Sequence, residues 1–117
     1  MLENIALIKE VHEHLATKDA QSQAREALAK IELEGISLYR VNMCDAYEIF
    51  CVSLIRAMMS ANSSVIIISA INLLDNLSDI NDIVSIIKKL QMNKNVIILD
   101  TLSNKTYYKE TSCITVK

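Results

Sequence analysis

Two apolar runs stand out along the chain, Val65-Ile66-Ile67-Ile68 and Val96-Ile97-Ile98-Leu99. Uninterrupted, mostly β-branched runs of this length read as strands covered on both faces, the pattern of a buried parallel sheet. Elsewhere the spacing is helical. Leu2, Ile5, Ile8, Val11 and Leu15 recur three and four residues apart, with Lys9, Glu10, Glu13 and His14 between them. Ala20 to Leu33 is rich in good helix formers, with Ala24, Leu28 and Ile31 as an apolar stripe and Asp19 as an N-cap. Gly35 then stands where a left-handed residue would end that helix. Ile36 to Val41 alternates at close to a two-residue period and predicts a short strand. Asp45 is placed to cap a helix that carries Ile49, Val52, Leu54, Ile55 and Met58 and runs to about Ser60. Ile83 to Leu90 is amphipathic, with Lys88 and Lys89 near its end, where cations suit the helix dipole. Thr106 to Val116 is rich in Thr, Tyr and Val and predicts an added edge hairpin.

Strands alternating with helices imply right-handed βαβ units. The fold expected is therefore α/β: a three-layer sandwich with a mostly parallel sheet of three to five strands. A length of 117 residues makes this a single domain spanning 1–117, with no linker or repeat inside it.

Composition removes several function classes. Gly35 is the only glycine and there is no proline, so no glycine-rich phosphate loop exists. The net charge of −2 gives no global attraction to nucleic acid or acidic lipid. The longest purely apolar runs are far too short to span a bilayer, which takes about 20 residues. Cys44, Cys51 and Cys113 are odd in number and lack CxxC spacing. Reduced thiols and a cytoplasmic location are the expectation, as is the lack of a signal peptide, since Glu3, Lys9 and Glu10 break the early apolar stretch.

Few residues are arranged for chemistry. His12 and His14 are two apart, which on a helix turns them away from a shared metal. Cys51 reads as a small core hydrophobe. Asp75, Asp79 and Asp82 read as caps and turn residues. Lys88, Lys89, Lys94, Lys105, Lys109 and Lys117 face only Asp100 and Glu110 in the last third, a solvated basic face. Ligands of parallel sheets gather at the carboxyl ends of the strands. That places a binding site on Asn72, Asp75, Asn76, Leu77, Ser78, Asp100 and Ser103, with Leu73, Leu74 and Leu102 among them. Leu77 is either a contact or tucked beneath the following helix.

His14-Leu15-Ala16-Thr17-Lys18-Asp19-Ala20-Gln21, the helix to Glu34-Gly35-Ile36, Asn72-Leu73-Leu74-Asp75-Asn76 after the first apolar strand, and Ile83 to Leu90 follow a familiar order. Together they resemble the catalytic domain of the serine recombinases, the resolvase and invertase family. The resemblance implies a catalytically dead relative: Ala16 matches the nucleophilic serine, and His14, Leu73 and Asn76 match arginines that stabilise the transferring phosphate. It also asks for a strand where Ile5 to Leu15 has helical periodicity. From Ile36 onward the order is also similar to the anti-sigma-factor antagonist (STAS) domain, with Leu74-Asp75 in the phosphorylated loop and Ser78 nearest to its serine.

With no intact catalytic set, no cofactor motif and no metal spacing, the sequence points to a non-catalytic α/β protein. It would act by binding another protein, as a regulator, an inhibitor or a toxin-immunity protein. A homodimer is compatible with this reading. The competing reading is a nucleic-acid-associated pseudoenzyme of the recombinase fold.

Overall fold

The computed structural model describes residues 1–70, 80–90 and 92–108. Four α-helices, two strands and three 3-10 turns are seen among them. Helix α1 spans Leu2–Glu13 and buries Leu2, Ile5 and Ala6. It ends at His14, which takes the left-handed conformation with φ 53° and donates its N–H to the Lys9 carbonyl. Residues 4–8 are thus helical, as the periodicity requires.

Helix α2, Thr17–Lys30, buries Ala20, Ala24, Ala27 and Leu28. These small side chains let its backbone lie close to α1. Asp19 is not its cap: Ala16 precedes the helix, and Asp19 instead puts a negative charge in the first turn, where it suits the dipole. Nor does Gly35 end it. Glu32 takes the left-handed position, φ 62°. Around it, Leu33 N–H reaches the Leu28 carbonyl at 2.8 Å and Glu32 N–H the Ala29 carbonyl at 3.1 Å, the paired bonds of a Schellman cap. Gly35 lies one step on, in a 3-10 turn over Glu34–Ile36.

Ile36 to Val41 does not form a strand. Its backbone is engaged elsewhere: the Ser37 carbonyl accepts the Leu2 N–H at 2.9 Å, and the Tyr39 carbonyl accepts the Met1 nitrogen at 2.5 Å. The segment therefore closes the amino end of α1, whose first donors have no partner within the helix. A second 3-10 turn, Val41–Met43, follows.

Helix α3, Ala46–Met58, opens with the capping box the sequence signals. Asp45 Oδ1 accepts the Glu48 N–H at 2.8 Å, and Glu48 Oε1 accepts the Asp45 N–H at 2.9 Å. The helix buries Phe50, Cys51, Val52, Leu54, Ile55 and Met58. Helix α4, Asn81–Leu90, buries Ile83, Ile86 and Leu90 and has Lys88 and Lys89 in its last turn. Lys30 of α2 donates to the Leu90 carbonyl at 3.2 Å and joins the ends of the two helices.

Strands β1, Ser64–Ile68, and β2, Asn95–Leu99, are adjacent and parallel, paired Val65 with Val96 through Ile68 with Leu99. This part of the expected sheet is present. The three-layer sandwich of three to five strands is not: the sheet has two strands among the described residues. Val65 and Ile67 enter the one hydrophobic core, joined by Val96 and Ile98. The side chains between them point the other way and stay exposed. The molecule is a helical layer on one face of a two-stranded parallel sheet. Of the expected edge hairpin, Thr106 to Val116, all beyond Tyr108 lies outside the described residues. Leu102–Tyr108 coils into a 3-10 turn that folds back, with the Tyr107 carbonyl accepting the Ile80 N–H at 3.1 Å.

Candidate functional site

Alternation along the strands creates the most unusual surface of the molecule. Ile66 and Ile68 of β1 are 58% and 66% exposed, and their register partners Ile97 and Leu99 of β2 are 47% and 51% exposed. Four large aliphatic side chains thus lie side by side on one sheet face, with no charged side chain among them. Leu102, just beyond β2, is also exposed. Parallel sheets are ordinarily covered on both faces. The sequence reading of the two runs as buried on both faces is therefore corrected: the runs are strands, but one face of each has no cover among the described residues.

Of the binding residues expected from the sequence, Asn72, Asp75, Asn76, Leu77 and Ser78 lie outside the described residues, as do Leu73 and Leu74. Asp100 and Ser103 are described and sit together past the carboxyl end of β2. The Asp100 carboxylate accepts the Thr101 N–H at 2.8 Å, the Asn104 amide at 2.8 Å and the Tyr108 hydroxyl at 2.7 Å. Ser103 Oγ lies 2.8 Å from Thr101 Oγ1. Asp100 is thus the organiser of its own turn, holding Leu102–Tyr108 against the sheet end.

Other candidates separate in the same way. His12 is exposed in the last turn of α1 and His14 is exposed at its cap. Ala16 precedes α2 and has only a methyl group to present. Cys51 is fully buried, and desolvation pushes its thiol up to about 11. Tyr47, one turn earlier, is pushed up to about 12, first by partial burial and then by the neighbouring sulfur. A thiol so protonated at neutral pH is a poor nucleophile. Cys44 is half-buried and also raised, by desolvation and then Glu48. Cys113 lies outside the described residues.

A second feature escaped the sequence reading. A cleft of about 380 Å³ opens along β1, between α1 and the end of α3. Ile8, Ser53, Arg56, Ala57, Ser60, Asn62, Ser64, Val65 and Ile66 line it. Arg56 is one of these residues, and its Nε is buried without a hydrogen-bond partner. No spacing rule marks this site, because its parts come from three elements that meet only in the fold.

An α/β protein with an uncovered apolar sheet face is the class that these features define. No helix among the described residues is long and apolar enough to cross a membrane. No family model matches the chain, and neither a curated protein nor a solved structure matches it.

Proposed function

We propose that this protein is a non-catalytic binding module whose exposed sheet face receives an amphipathic helix of another protein. The observation that carries the reading is the exposed quartet Ile66, Ile68, Ile97 and Leu99. A helical layer is the ordinary cover of a parallel sheet, and no such layer lies on this face among the described residues. The dimensions agree. Five-residue strands run about 17 Å, the length of about 11 helical residues at 1.5 Å each. Two strands about 4.8 Å apart, with their side chains, present a width near that of one helix.

The energy is sufficient for a specific but moderate complex. Complete burial of an Ile or Leu side chain contributes about 1.5–3 kcal/mol. Covering the exposed parts of four such residues contributes about 3–6 kcal/mol before association costs, so neighbouring contacts such as Leu102 are needed for micromolar affinity. Lys105, exposed beyond the carboxyl end of β2, favours an acidic rim on the incoming helix, which the uncharged side chains of Ile66, Ile68, Ile97 and Leu99 in a second copy do not offer.

The test uses the partner purified from the native source and reassembled from pure components. Ile68→Asp is expected to weaken the complex at least about tenfold while the melting temperature of the free protein barely moves. Unchanged affinity would refute the reading. So would light scattering that shows a stable dimer of the wild type, dissociated by the same substitution, because the face would then be a self-interface.

A further inference from the structure

We infer that the cleft beside β1 is an anion site, built to take the phosphate group of a small phosphorylated molecule. The argument begins with Arg56. It is on the last turn of α3, and its Nε is buried with no hydrogen-bond partner. A buried N–H left unpaired costs roughly 1–3 kcal/mol, more for a charged group. Native interiors rarely keep such a group without a reason, and an absent ligand is one of them. Among the described residues no carboxylate lines the cleft. Among the described residues, the ion pair present is Lys9 with Glu13, remote from Arg56 in sequence and on another helix.

The end of α3 would by itself repel an anion, because the carboxyl terminus of a helix carries partial negative charge. Here that charge is answered. Lys94 Nζ donates to the Ser60 carbonyl at 2.6 Å and to the Asn62 carbonyl. The loop beside the cleft is thus already capped by an ammonium group, which leaves the guanidinium of Arg56 as the positive charge among the lining residues.

The remaining lining supplies donors. The Ser60 hydroxyl is spent on the Ala57 carbonyl at 2.7 Å. Ser53, Asn62 and Ser64 contribute two hydroxyls and an amide to the same cleft. Together with the arginine fork they approach from α3, from the turn and from β1. A three-oxygen phosphate can use donors from several directions, whereas a planar carboxylate pairs best with the fork alone. Ile8, Ala57, Val65 and Ile66 line the same cleft with apolar side chains, which fit the carbon part of the ligand. A volume of about 380 Å³ is at the small end of ligand sites.

The experiment titrates the full chain with inorganic phosphate and with phenyl phosphate, following the backbone amide signals of Ser53, Arg56 and Ser64. Both ligands are expected to move these signals in a saturable way, with phenyl phosphate the tighter through the apolar wall. Added sodium chloride is expected to weaken both. Arg56→Gln should weaken phosphate binding at least about tenfold, and Lys94→Gln by less. Arg56→Met keeps the stem and removes the orphan donor, so its melting temperature without phosphate should stay level or rise. The inference is overturned if phosphate leaves the three signals in place. It is overturned if benzoate binds as tightly as phenyl phosphate. It is also overturned if Arg56→Met lowers stability in the absence of any phosphate effect, since Arg56 would then serve only the helix end.

Discussion

Ile67 and Ile68 are neighbours in one strand and in one apolar run, yet the structure gives them opposite fates. Ile67 is 7% exposed and belongs to the core, whereas Ile68 is 66% exposed. Substituting each by threonine keeps the β-branch, so strand preference changes little. At Ile67 the change removes about two carbon groups from the interior, near 0.8 kcal/mol each. It also buries a hydroxyl, at about 1–3 kcal/mol without a partner. The sum is about 2.5–4.5 kcal/mol, a large part of the 5–15 kcal/mol typical of a domain. At Ile68 two thirds of the residue is already in water, so the loss is below about 1 kcal/mol. Urea unfolding of the two variants, followed by far-ultraviolet circular dichroism, measures both. On heating, Ile67→Thr should melt roughly 8–15 °C below the wild type and Ile68→Thr within about 4 °C of it. Equal losses at the two positions would refute the one-sided sheet, and with it the docking face.

Other expectations are checked in the same way. Asp45→Ala removes the side-chain acceptor of the Glu48 N–H, leaves the backbone N–H at position 45 to bond Glu48, and should cost about 0.5–2 kcal/mol in urea unfolding. Cys51 is protonated more firmly in the folded state, about 11 against 9.0, and Tyr47 likewise, about 12 against 10.0. Stability from these groups is therefore complete below pH 9 and is lost as pH rises through 9 to 12, so urea midpoints should fall between pH 8 and pH 11. In a Cys44→Ser, Cys113→Ser background, iodoacetamide should modify Cys51 only under unfolding conditions. Asp100→Ala leaves three donors around the turn without their acceptor, so hydrogen exchange at Thr101 and Asn104 should quicken while α1 to α3 stay protected.

Much of the fold was legible because it rests on local rules. Asp45 and Glu48 spell a capping box, the α1 and α4 stripes have helical spacing, and both apolar runs are strands. The failures are cases in which a distant part of the chain decided the outcome. Ile36 to Val41 has the alternation of a strand, but its carbonyls are taken by the start of α1. Gly35 is the residue most tolerant of a left-handed turn, yet the Schellman geometry falls on Glu32, because the length of α2 sets where the turn comes. Val65 to Ile68 reads as covered on both faces because a run of four aliphatic residues looks the same whether or not a second helical layer exists. Asp100 was read as a site residue from its place past β2; it lies just beyond that strand, and its carboxylate organises its own turn. Arg56 was invisible because nothing near it in sequence is unusual.

The proposed docking face and the proposed anion cleft meet at Ile66, which lines the cleft and is exposed on the sheet face. Two sites that share a side chain are expected to be coupled, and coupling is reciprocal: each ligand changes the affinity of the other by one common factor. A helix laid over Ile66 would exclude water from that edge of the cleft and lower the dielectric around Arg56, which strengthens its attraction for a phosphate. The coupling should therefore be positive, on the order of 1 kcal/mol, or about fivefold in affinity. Phosphate titrations with and without saturating partner measure it in one direction, and partner titrations with and without phosphate in the other. Ile66→Ala should reduce both factors towards one while leaving phosphate affinity in the absence of partner nearly intact, because Arg56 and the serines remain. Equal phosphate affinity with the face empty or filled would separate the two sites energetically, and the cleft would then be independent of whatever covers the sheet.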